Sequence, residues 1–191
     1  VFHRLNFTRT AAGRQWLLHF FNNPFSDIGK IRETQDVIRL ILNKVNDWPT
    51  SITNGTIMVM ERLYESSIDT IPDSASPINA YSYRILHTPD FSLVRYSVTH
   101  FADFARGFRQ ILDMLRSPET PRPLLSYLDR ANDLLNHPLL EKLSEVDTQK
   151  KLSAKETVLF GNYILYRFKN SAQELINIYG RLDAWYSMAQ A

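Results

Sequence analysis

The chain of 191 residues contains no cysteine. Disulfides, thiolate nucleophiles and Cys-built zinc sites are thereby excluded, and the composition suits a reducing, cytoplasmic setting. Only six glycines occur, and none belongs to a G-x-x-x-x-G-K-[ST] loop. Nucleoside triphosphates are therefore not expected to bind by a phosphate loop. The G-x-S-x-G elbow of serine hydrolases is missing too. No apolar run approaches the ~20 residues of a membrane span. The opening Val-Phe-His-Arg has neither an export signal nor an initiator Met, so the chain is expected to be a piece of a longer protein. Charge of one sign is not in excess. Lys and Arg number 22 and Asp and Glu 20, and a net +2 argues neither for nor against nucleic acid. Strand-type alternation is missing, which leaves an all-α reading.

What is present is helical periodicity. Phe160, Ile164, Phe168, Ala172, Leu175, Tyr179, Leu182, Trp185 and Ala189 recur at steps of three and four, one apolar stripe along a helix. Ser153-Ala-Lys-Glu156 reads as the capping box that starts it. Residues 153–190 are predicted to form one rod on the order of 55 Å long, which a proline at Asn170 should break. A second long helix is predicted over 91–116, with Gly107 marking a close helix approach. Thr8 or Thr10 should cap a first helix to about Asn22. Ser26 should cap a second running to about Asn46, with Asp27 facing its positive end and Ile28, Ile31, Val37, Ile38, Ile41, Leu42 and Val45 on its apolar face. Others are expected over 53–67, 78–86, 124–136 and 138–143. The arrangement expected is a single domain over 1–191: an elongated bundle of two long antiparallel helices, a helical subregion at 1–70 and a short tip at 117–151.

Candidate chemistry is sparse. Histidines stand at 3, 19, 87, 100 and 137. His100 with Asp103, and Asp133 with His137, share helix faces and each supply two of the three or four ligands a metal needs. Helix-end polar pairs are the simpler reading. The carboxylate pairs Glu61/Glu65, Asp129/Asp133 and Glu141/Glu145 read as solvated faces without a cleft. Asn6-Phe-Thr8 and Asn54-Gly-Thr56 match the glycosylation pattern by chance. Arg106, Arg109 and Arg116 fall within about 100° on one helix. Lys150, Lys151 and Lys155 cluster where the rod begins and are the candidate DNA-backbone contacts.

The two ends of the chain carry a resemblance. Leu5-Asn-Phe-Thr8-Arg-Thr10-Ala-Ala-Gly13-Arg14-Gln-Trp-Leu17-Leu18, then Pro24-Phe25-Ser-Asp27-Ile28 and Ile31, resembles the start of the lever domain of the MutS mismatch-repair family. That domain opens on T-x-x-G-x-x-L-L followed by P-L-x-D and I-x-x-R-x-x-x-V. Leu182-Asp183-Ala-Trp185-Tyr-Ser187-Met-Ala189 is similar to the L-D-x-L-x-S-x-A that closes it before the ATPase domain. Thr34 stands where the family usually has Arg. Ser117 to Lys151 occupies the place of a large DNA-gripping clamp, and the mismatch-reading Phe-x-Glu domain is missing. The resemblance implies a clampless branch, associated with recombination intermediates. It further implies a non-catalytic lever that couples DNA to an adjacent ATPase domain. That domain, not this chain, would hold ATP and Mg2+ and form a homodimer. An unrelated helical interaction module is the alternative. No catalytic, cofactor or metal residue is carried over.

Overall fold

The computed structural model describes residues 2–191, with side chains from Arg4 onward. His3 lies outside the described side chains. The described residues form helices and no strand. A short α1 (Phe2–Leu5) precedes α2 (Ala11–Asn22), α3 (Ile28–Leu42) and a single 3-10 turn at Val45–Asp47. Next come α4 (Asn54–Glu65), α5 (Pro77–Leu86) and α6 (Thr88–Leu115). They are followed by α7 (Arg122–Leu135), α8 (Pro138–Ser144), α9 (Ala154–Arg167) and α10 (Lys169–Gln190). Local chemistry sets most boundaries. Thr10, Asp27, Thr53, Ser76 and Ser153 each accept a hydrogen bond from the first turn they precede. Pro77, Pro89, Pro123 and Pro138 sit in first turns, where the missing N–H costs nothing.

The expected rod over 153–190 is two helices. All nine residues of the stripe are buried, and the capping box at Ser153 and Glu156 forms. Yet the helix is interrupted at Phe168, whose φ of −107° and ψ of −3° leave the helical track. The cause lies outside the segment. The Tyr64 hydroxyl donates to the Ile164 carbonyl at 3.2 Å. That carbonyl is the partner Phe168 N–H would take four residues on, and a side chain inserted there bends a helix. Burial holds the Tyr64 hydroxyl protonated far above the usual phenol range.

The antiparallel pairing is also corrected. Gly161 of α9 packs on Val94 near the start of α6, and Tyr179 of α10 meets Phe104 and Phe108 further along α6. Residue numbers rise together, so α6 runs in the same sense as α9 and α10. The chain between them doubles back to make this possible. Arg109 donates to the Leu135 carbonyl, Arg106 to the Ser144 and Val146 carbonyls, and Thr148 to Asp103. Segment 117–152 thus retraces α6, and Ser153 begins α9 beside the start of α6 rather than at a distant tip.

The core runs along α6. Phe101, Phe104, Phe108, Ile111 and Leu115 are buried there with Leu175, Tyr179 and Leu182 of α10. Gly107 accommodates no helix. The loop residues Ser51 and Ile52 press on it, and a β-carbon would lie 2.4 Å from Ser51 Oγ. Of the face predicted on α3, only Val37 and Ile41 are buried, while Ile28, Ile31 and Leu42 are exposed. No helix is long and apolar enough to cross a membrane among the described residues.

Candidate functional site

The densest polar structure joins the two ends of the sequence. α2 and α10 cross closely because each presents a glycine to the other. A β-carbon on Gly13 would lie 2.0 Å from Asp183 Oδ2, and one on Gly180 would lie 2.9 Å from Ala12 Cβ. Asp183, with no exposed surface, accepts from Thr10 N–H at 2.9 Å, the Thr10 hydroxyl at 2.7 Å and Arg9 N–H at 3.0 Å. The same Thr10 hydroxyl caps α2 by accepting from Gly13 N–H at 3.0 Å. One turn on, Ser187 Oγ accepts from Phe7 N–H at 2.7 Å and donates to the Leu5 carbonyl at 2.8 Å.

Burial pushes the Asp183 carboxyl up, and the bonds from Arg9 and Thr10 pull it down. Its donors come from the backbone and from a cap, so it positions two helices and faces no cleft in which to move protons. Arg9 extends the junction by donating to the Pro49 carbonyl at 2.9 Å and the Tyr186 hydroxyl at 2.8 Å. Beside it the Arg181 guanidinium lies between two rings, 3.8 Å from the Trp16 centroid and 4.5 Å from that of Tyr127. This ties α2, α7 and α10 together by cation–π attraction. Arg9, Arg181 and Tyr127 carried no signal in the sequence, since none stands in a spacing that marks a role.

The basic residues divide. Arg106, Arg109 and Arg116 do not make a patch. The first two hold the returning segment, and Arg116 pairs with Asp129 at 2.8 Å. Lys150 is largely exposed and sits 3.2 Å from Asp147. Lys150 and Lys151 line a shallow hollow with Ser92, Arg95, Tyr96 and Thr99. A second hollow shares Ser92 and Arg95 and adds Tyr81 and Arg84. Four cations and two exposed tyrosines therefore border the first half of α6, while Lys155 lines neither hollow.

The helical metal pairs do not assemble. Asp103 is bonded to Arg106 and Thr148, while His100 packs edge-on to Tyr96 and burial lowers its pKa. His137 Nδ1 accepts from Leu139 N–H and so caps α8, with its ring stacked on Tyr163. His19 is exposed beside Trp16. Glu61, Glu65, Asp133, Glu141 and Glu145 are exposed. The side chains of Asn6 and Asn54 accept from Thr8 and from Ala11 N–H. Comparison with protein-family models, curated proteins and solved structures finds no match.

Proposed function

We propose that the chain is the lever domain of a MutS-like ATPase. It would be a non-catalytic element coupling DNA binding to ATP binding and hydrolysis in an adjoining domain, in mismatch repair or recombination control. One observation carries the reading. The two stretches that bear the resemblance stand at opposite ends of the sequence, with Thr10 and Asp183 173 positions apart, yet they interlock residue by residue. Thr10, Gly13, Asp183 and Ser187, the motif positions themselves, make the contacts. The proposed DNA-facing surface is the border of Arg84, Arg95, Lys150 and Lys151. From there α6, with α9 and α10 alongside, leads to the junction. ATP and Mg2+ would belong to the adjoining domain, through which the whole protein would form a homodimer.

The experiment is made on the whole polypeptide to which this chain belongs. Its coding sequence should contain a Walker A motif within about a hundred codons after Ala191. Duplex or branched DNA should change its ATPase rate, and by linkage nucleotide should change its DNA affinity by the same factor. Asp183→Ala should leave the basal ATPase rate in place and abolish that coupling. Absence of the motif, or equal coupling in a folded variant, refutes the lever.

A second reading, a helical interaction module, draws on α5. Ile78, Tyr81 and Ile85 occupy one helix face and are 78%, 60% and 59% exposed. A stable complex through that face, indifferent to nucleotide, would favour it.

A further inference from the structure

Away from the junction, the loop after α4 meets the start of α6. There Asp69, His87 and Asp90 each bring one ligand atom within 4.8 Å of the other two. His87 Nδ1 lies 2.9 Å from Asp69 Oδ2, and Asp69 N–H donates to Asp90 Oδ2 at 3.0 Å. The imidazole is held by stacking on Tyr83, with centroids 5.2 Å apart and planes 26° from parallel. Tyr83 supplies a separate observation. It is only 3% exposed, and its hydroxyl has no hydrogen-bond partner. A buried, unpartnered O–H on the ring that stacks on His87 is a polar group whose hydrogen bond is still unmade.

We propose that Asp69, His87 and Asp90 bind a divalent transition ion, with Zn2+ the closest fit. Two carboxylates balance the ion's charge, and one imidazole favours zinc over magnesium or calcium, which prefer all-oxygen shells. Three protein ligands leave a fourth position for water. Zinc ligands at about 2.0 Å in tetrahedral array stand about 3.3 Å from one another. The Asp69–His87 pair needs only to open slightly, and Asp90 to swing inward. Asp90 occupies the first turn of α6, next to the positive end of the helix. The ion would staple residues 68–71 to α6. This inference stands apart from the lever reading and does not depend on it.

The test is calorimetric titration of ZnCl2 into chelator-stripped protein, with Co2+ as a spectroscopic substitute. The expected result is one ion per chain with Kd below about 10 μM, a Co2+ visible absorption of four-coordinate type, and a raised melting temperature. Asp69→Asn and His87→Gln should each weaken binding at least tenfold, with ion-free circular dichroism checking that they fold. Should either variant not fold, nitrogen chemical shifts of the wild-type His87 ring decide, since Zn2+ must move them. Unmoved His87 signals, no binding below about 100 μM, unchanged affinity in both folded variants, or equal affinity for Mg2+ would each overturn the site.

Discussion

Asp183 and Gly13 depend on one another. The carboxylate replaces water with three donors, and the missing side chain on Gly13 is what lets it approach. Gly13→Ala drives a methyl into Asp183 and should cost about 2–3 kcal/mol of stability. Asp183→Ala should cost about as much, because it leaves Thr10 and Arg9 donors buried without partners. The two losses should not add. Removing the carboxylate removes what the new methyl strikes, so urea denaturation of the double variant should show less than the sum. Strict additivity would separate the two residues.

Glu156 makes a smaller contribution at the same scale. Hydrogen bonds from Ser153 hold its carboxyl below the usual range. Its folded pKa lies under its unfolded one, so its stabilisation is full above the unfolded value and fades as pH falls through the folded one. Wild type and Glu156→Gln should therefore converge in urea midpoint between neutral pH and about pH 3, with the wild type ahead at the neutral end.

At the scale of helices, the break at Phe168 moves the sensitive positions. Asn170 belongs to the first turn of α10, where proline is tolerated, so Asn170→Pro should change stability by no more than about 1 kcal/mol. Gln173 is exposed one turn further in, and Gln173→Pro should cost about 3 kcal/mol or more. Tyr64→Phe should free the Ile164 carbonyl and slow exchange of the Phe168 amide. Equal cost at 170 and 173, read by thermal melting, would restore the single rod.

The same region shows what sequence can disclose. The nine-residue stripe is legible because Phe168 bends the backbone without losing the phase of the apolar positions. The break itself is invisible, because it comes from a tyrosine about a hundred positions away and not from glycine or proline. Caps at Thr10 and Ser153 are legible because their chemistry is local, whereas the cap expected at Ser26 falls one residue on, at Asp27. The sense of α6 relative to α10 is not, because it rests on Arg106 and Arg109 grasping carbonyls of a segment that could have turned either way. At the junction the motif residues are legible, but their mutual contact is not.

For the whole molecule, four cations bordering α6 are too few for strong binding to a phosphate backbone. The chain alone should bind duplex DNA with Kd weaker than about 1 μM at physiological salt, and more weakly still as salt rises. Fluorescence anisotropy measures this. Replacing Lys150 and Lys151 together by Glu should remove what binding there is, whereas Lys155→Glu should not. Submicromolar affinity, or an equal effect at Lys155, would move the contact surface elsewhere.

The interlock of Leu5 and Phe7 with Ser187 also fixes how the molecule would carry a mechanical load. Tension applied at those two positions enters and leaves at one point. It peels the short segment 5–10 off α10 bond by bond and never stretches α6. Under the proposed lever role such a body would be not a strut pulled between its ends but an outgrowth rooted on one footing, moved as a whole by tilting that footing. The geometry also allows the chain to be rewired. A short linker from 191 back to 4, with new ends in the 117–120 turn, should refold to the same helices, since the contacts that close the molecule would become neighbours in sequence.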